Sequence, residues 1–172
     1  MMDIKQRPLT KADLTFVMDE LAAGARTGNF SNNFIDSRIS KPFEKQIREM
    51  IRVRDTGKYT GHYFNIIARG TDGNRLGFIW LQDVIIDEQP GLELRVLCVS
   101  KRYRGNSIAT AVLNNILEHY AERPFQAKCY AKSTQMIEML KKRGFNVLNT
   151  AASGNMFLVR NASLHLPIIK SL

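Results

Sequence analysis

Residues 92–117 read LELRVLCVSKRYRGNSIATAVLNNIL and carry the densest chemical information in the chain. An alternating apolar segment runs into a basic turn containing Gly105, and that turn opens an amphipathic helix near Ile108. A strand, a turn of free backbone N–H groups and a helix N-terminus together make an anion site, because the donors converge and the helix dipole favours negative charge. Gly105 and Ser107 are small, so the backbone can approach a pyrophosphate, and Arg104 with Lys101 and Arg102 adds positive field. On these residues alone, an ordinary basic strand-to-helix turn with Ser107 as N-cap is an equal reading.

The elements that must hold this turn follow from periodicity and punctuation. Ile4–Pro8 reads as a first strand, and Thr10 as the N-cap of a helix through Leu14, Val17, Met18 and Leu21 that stops near Gly24. Residues 24–41 are polar and weakly periodic, which predicts a long loop; Phe30, Phe34 and Ile35 either pin it to the core or wall a substrate site. Pro42 is placed in the first turn of a second helix with Ile47, Met50 and Ile51 on its apolar stripe. Strands are expected at 62–69, 76–86 and 92–99, joined by a hairpin turn at Thr71–Asn74 and a five-residue turn at Asp87–Gly91. A helix over 108–121, a strand over 125–130, a helix over 134–142 ending at Gly144, and a hairpin of 145–148 with 156–160 complete the order. An antiparallel meander followed by β-α-β-α-β-β is an α/β layer arrangement with a mixed sheet. Residues 1–160 are expected to form one domain; the tail 161–172 has no assignment, although its Leu164, Leu166, Ile168 and Ile169 could cover a homodimer interface.

Bulk composition narrows the classes. A length of 172 residues, 44% hydrophobic and 24% charged, suits one soluble domain with a sizeable core. No apolar run approaches the roughly 18 residues of a membrane span, and the N-terminus lacks a secretory apolar stretch, so a cytoplasmic protein without membrane contact is expected. Cys98 and Cys129 lie in apolar strand-like segments outside any CxxC or His/Cys cluster. They read as free buried thiols with no metal site, with a disulfide or a reactive thiol as the alternatives. The net charge of +9 fits either a polyanionic partner such as nucleic acid, or a solvated basic surface plus a polyanionic cofactor site. No nucleic-acid-binding motif accompanies it.

The run Arg104-Gly105-Asn106-Ser107-Ile108-Ala109 resembles the cofactor signature of the GNAT superfamily of acetyl-CoA-dependent N-acetyltransferases: Arg or Gln, two residues, Gly, one residue, Gly or Ala. Arg104 and Ala109 match, while Ser107 stands where the family usually has Gly. Upstream, Leu97-Cys98-Val99 matches the family's Leu-x-Val element, whose splayed backbone would hydrogen-bond the pantetheine arm. Downstream, Gly144-Phe145 matches its Gly-Phe pair, and Ser133 falls where many members carry an Asn that touches the arm. The resemblance spans residues 62–160 and is clearest over 92–145. It implies a mixed, mostly antiparallel central sheet flanked by helices, acetyl-CoA as co-substrate without metal, and cofactor contacts from Leu97, Cys98, Val99, Arg104, Gly105, Asn106, Ser107, Ile108, Ala109 and Ser133.

Direct attack by an amine requires a base, because a protonated amine has no free lone pair. Glu93 is the candidate: strand alternation puts it on the face of Leu97 and Val99, and it resembles a strand glutamate that serves as base in some family members. The alternative is a solvent-exposed strand carboxylate paired with Arg95 or Lys128, and Asp83 is a weaker substitute base. A backbone N–H of Leu97–Val99 would stabilise the thioester oxygen by resemblance. The tyrosine that protonates the thiolate in many members is replaced by Leu140, leaving Tyr130, Ser133 or water. These features imply an N-acetyltransferase acting on a small-molecule or protein amine. The alternatives are a catalytically weak acyl-CoA-binding regulatory module, favoured by Ser107 and Leu140, and an acetyltransferase acting on aminoacyl-tRNA.

Overall fold

The computed structural model describes residues 2–163; the tail positions Leu164, Leu166, Ile168 and Ile169 lie outside them. Among the described residues seven strands form one sheet in the order β1-β2-β3-β4-β5-β7-β6. They are β1 (Ile4–Pro8), β2 (His62–Arg69), β3 (Arg75–Ile86), β4 (Gln89–Val99), β5 (Phe125–Cys129), β6 (Asn146–Thr150) and β7 (Met156–Arg160). Every pairing is antiparallel except β4 with β5. The helices are α1 (Leu14–Arg26), α2 (Ser37–Asp55), α3 (Ile108–His119) and α4 (Thr134–Lys141). The expected mixed, mostly antiparallel sheet flanked by helices is the observed architecture.

Strand alternation sorts the core into two layers. Leu14, Val17 and Leu21 of α1 and Ile47 and Ile51 of α2 pack with Phe64, Ile66, Phe78 and Trp80 on one face. Val112, Leu113 and Ile116 of α3 and Ile137 and Leu140 of α4 pack with Ile79, Leu81, Leu92 and Leu94 on the other.

Several boundaries differ from the sequence reading, each for a local reason. A short 3-10 turn, Lys11–Asp13, precedes α1, which runs past Gly24 to Arg26. Gly24 does not end the helix; it lets Phe30 pack closely, since a Cβ there would lie 2.2 Å from the Phe30 ring. The loop 24–41 is shorter than expected, because α2 begins at Ser37, capped by the Asp36 carboxylate accepting from the Arg38 N–H at 2.9 Å. Pro42 therefore lies inside α2, at the cost of one helical hydrogen bond. Phe30 and Phe34 pack against the core, the first of the two readings, Phe30 also borders the β4–β5 cleft, and Ile35 is 47% exposed. The turn before β4 is two residues, Asp87 and Glu88 with φ 47° and 65°, so Pro90 and Gly91 belong to the strand. The most consequential difference is a bulge in β4. Trp80 pairs with Val96 but Leu81 pairs with Leu94, leaving Arg95 extra.

Candidate active site

The parallel β4–β5 pairing covers only Leu92–Phe125, Glu93–Gln126 and Leu94–Ala127. Beyond Leu94 the strands separate, while β4 keeps its pairing with β3 to Val99. Alternate backbone groups of the β4 end therefore face the gap without a strand partner. That gap is a cleft of about 560 Å³, walled by Leu94–Val99, Ala127–Tyr130 and the first turns of α3 and α4.

The far end of the cleft is the basic turn. Gly105 takes φ 80° and Ser107 takes φ 58°, ψ 19°, so both adopt the left-handed region just before α3. This geometry turns successive N–H groups the same way. Among the described residues, none of the backbone N–H groups from Gly105 to Thr110 has an acceptor. A Cβ added at Gly105 would meet nothing within 4 Å, so the space before the turn is open. Arg104 borders the cleft, with its Nε donating to the Val99 carbonyl at 2.9 Å. The turn thus offers converging donors and positive charge to an elongated anion.

Of the ten cofactor candidates, Leu97, Cys98, Val99, Arg104, Gly105, Ser107, Ile108, Ala109 and Ser133 line the cleft, and Asn106 does not. The Asn106 amide instead donates to the Tyr103 and Arg104 carbonyls and shapes the turn. Ser133 donates its hydroxyl to Asn29 Oδ1 at 3.1 Å, which latches the α1–α2 loop over the cleft. Asn29, Phe30 and Lys132 border the cleft as well. Sequence reasoning did not single out Asn29 or Lys132; the length of the 24–41 loop was the only signal for Asn29, and Lys132, between β5 and α4, had none.

Glu93 sits inside the paired segment, opposite Gln126 and one residue before the strands part. It is not among the cleft-lining residues, is 9% exposed, and accepts at Oε2 from Gln126 Nε2 at 2.8 Å. The bulge reverses its expected orientation. Glu93 pairs with Gln82 on the α1–α2 face, while Leu97 and Val99 pack on the α3–α4 face. It is buried and bonded to Gln126, so the alternative reading of a solvent-exposed carboxylate paired with Arg95 or Lys128 does not hold. Asp83 is engaged by Arg123 at 2.8 Å.

Leu140 is fully buried and closes the cleft floor. Tyr130, Ser133 and Thr134 are the hydroxyl-bearing side chains lining the cleft at the β5 end. Cys98 and Cys129 are free and buried. Burial, reinforced by Glu20, pushes the Cys98 thiol up to about 12, and burial pushes Cys129 up to about 11, so neither is a nucleophile near neutral pH. Among the described residues no cluster of His, Cys, Asp or Glu could hold a metal, and no helix is long and apolar enough to cross a membrane.

A family model described as the acetyltransferase (GNAT) family matches residues 32–145. No curated protein matches the chain significantly. Among solved structures, a PaiA N-acetyltransferase from Thermoplasma acidophilum in complex with coenzyme A superposes with a TM-score of 0.69 at 17% identity, covering 93% of this chain and 99% of that one. A GNAT-family acetyltransferase from Streptococcus agalactiae gives 0.68 at 16% identity, covering 94% and 96%. The spermidine/spermine N-acetyltransferase SpeG from Vibrio cholerae gives 0.60 at 11% identity, covering 91% and 92%.

Proposed function

The chain belongs to the GNAT acetyltransferase family, and from that premise we propose that it moves the acetyl group of acetyl-CoA to a primary amine by direct attack. One observation carries the reading: a splayed β4–β5 cleft that ends in unpartnered N–H groups from Gly105 to Thr110. Those donors, with Arg104, suit the cofactor's pyrophosphate, and the unpaired edge at Leu97–Val99 suits its amide-bearing arm. The thioester then lies where β4 and β5 part, beside Glu93.

The amine nitrogen attacks the thioester carbonyl, a C–N bond forms, and the C–S bond breaks. An N–H of the Leu97–Val99 edge takes the negative charge that gathers on the carbonyl oxygen. Glu93 accepts the amine proton, with Gln126 holding its carboxylate in place. The departing thiolate needs little help, since a thiol pKa is only about 8.5. Leu140 therefore does not abolish the reaction.

The charge of +9 favours no RNA-linked acceptor on α2. There Arg48, Arg52 and Arg54 are paired with Glu44, Glu49 and Asp55. Thiol release from acetyl-CoA with a mixed amine panel tests the reading. Acetyl-CoA-dependent release with at least one amine is the expected result. Binding of acetyl-CoA without release across the panel would instead identify an acyl-CoA-binding module.

A further inference from the structure

A second cavity, of about 650 Å³, lies on the sheet face that carries α2. Phe43, Met50 and Val53 of α2 form one wall, and His62, Trp80 and Gln82 of the sheet form the other. Arg95 borders both this cavity and the acetyl-CoA cleft. It does so because it is the extra residue of the β4 bulge, at the point where the strand switches the faces of its side chains.

The polar groups of this cavity are mostly donors. The Arg95 guanidinium stacks 4.7 Å over the Trp80 ring and donates through Nη1 to Gln82 Oε1 at 2.6 Å. Both contacts orient the fork of this solvent-exposed side chain and leave it without a protein counter-ion. Among the described residues no carboxylate lies within ion-pair distance of Arg95, although Arg7, Arg48, Arg52 and Arg123 all have one. Trp80 Nε1–H donates to His62 Nδ1 at 3.2 Å, which leaves the proton of the neutral ring on Nε2 as a further donor. Burial, and then the Arg95 charge, push the His62 pKa down, so the ring is neutral near pH 7. Glu49, the one carboxylate bordering the cavity, accepts from Arg52 Nε at 2.9 Å. Gln46 and Thr60 are the remaining polar lining.

We propose that the amine acceptor is amino-acid-like: an apolar body seated against Phe43, Met50 and Val53, with a carboxylate held by Arg95 at the junction of the two cavities. Arg95 is the specificity residue, and a planar guanidinium already oriented by stacking matches a carboxylate with two parallel hydrogen bonds. A polyamine would meet a cation there and no free carboxylate. The route of the acetyl group rests on the acetyl-transfer reading; the binding of the carboxylate does not.

Two measurements on the full chain separate these claims. The first is thiol release at saturating acetyl-CoA with L-phenylalanine, L-leucine and L-methionine, with their decarboxylated amines such as phenethylamine, and with spermidine. At least one amino acid should exceed its decarboxylated partner tenfold in kcat/KM. Arg95→Gln should raise the amino-acid KM and lower the ratio of amino-acid to phenethylamine kcat/KM at least tenfold. The second follows the indole N–H resonance of Trp80, the only tryptophan, during titration with the same amino acids and amines. The resonance should move with amino acids in the native chain and not in Arg95→Gln. Amino-acid shifts without any thiol release would leave this inference standing and overturn acetyl transfer. Release with spermidine or phenethylamine at rates matching the amino acids, or an indole signal indifferent to all three amino acids, would overturn the inference and leave transfer intact.

Discussion

Ser107 shows why the family pattern has glycine at that position. The residue must adopt φ 58° to turn its N–H toward the cleft before α3 starts, and its hydroxyl makes no capping hydrogen bond in return. A left-handed L-residue costs roughly 1–2 kcal/mol, and glycine gives part of that back as unfolded-chain entropy. Ser107→Gly should therefore stabilise by about 0.5–1 kcal/mol, a rise of about 1–4 °C in Tm by calorimetry, with acetyl-CoA affinity unchanged or tighter. Weaker affinity would mean that the serine hydroxyl itself donates to the phosphate. Glu93 is tested by Glu93→Gln, which keeps a group able to bond Gln126. If it takes the amine proton, kcat should fall by roughly a hundredfold or more while the Kd for acetyl-CoA stays within about twofold. An unchanged kcat would make it a structural carboxylate. Ser107 and Glu93 both stand out in the sequence through the family resemblance, while strand alternation, which puts Glu93 on the face of Leu97 and Val99, fails at the bulge. The strain at Ser107 and the Gln126 contact could not be read there, because both depend on the path of the backbone.

The bulge in β4 marks where element-level reading stopped. Strict alternation from Glu93 to Val99 puts both on one face, and nothing in Leu94-Arg95-Val96 announces an inserted residue. The five-residue turn expected at Asp87–Gly91 failed differently: Pro90 and Gly91 are loop signals, yet Asp87 and Glu88 alone close the hairpin. Periodicity did locate the strands that flank the cleft, because their apolar faces are continuous. The entry to α1 was only partly legible. Thr10 was visible as a cap, but Asp13 is the centre: it is fully buried, accepts from both Arg7 nitrogens at 2.7 and 2.8 Å, and accepts from Arg75 Nε at 2.7 Å. Burial pulls its pKa up, but the bonds from Arg7, Arg75 and Thr10 outweigh that and hold the carboxyl well below the usual range. A lowered folded pKa gives stability that is present above the unfolded value of about 3.9 and is lost as pH falls through the folded one. Urea unfolding should thus show Asp13→Asn destabilised by about 2–3 kcal/mol at pH 7, less than for a fully buried pair because both arginines are partly exposed. The deficit should shrink as both proteins are taken from pH 5 toward pH 2. A deficit independent of pH would assign the effect to packing.

The molecule is two sheet halves, β1–β4 and β5–β7–β6, joined by three strand-register pairs and by the core under α3 and α4. The resemblance implied a mixed, mostly antiparallel sheet with a splayed strand at Leu97–Val99, but not this division into halves, which depends on how few residues of β4 and β5 pair. The second cavity was not visible, since Phe43, His62, Trp80 and Arg95 come from separate elements, and Arg95 reaches the others through the bulge. The net charge also read differently once folded, because much of the basic surface of α2 is internally paired. A ligand that spans the cleft touches β4, the start of α3, β5 and the start of α4 at once, so its binding energy is felt across both halves. At a hundred times its Kd such a ligand adds about 2.7 kcal/mol, a rise of roughly 5–10 °C in Tm for a chain of this length. If the unpaired N–H groups at Gly105–Thr110 hold the pyrophosphate, acetyl-CoA and CoA should give similar rises, because the two share it. Pantetheine, which lacks the pyrophosphate, should give a small fraction of that rise at equal concentration. High salt should reduce the CoA rise more than the pantetheine one, because only the former rests on charge. Equal rises from pantetheine and CoA would relocate the principal grip from the turn to the β4 edge.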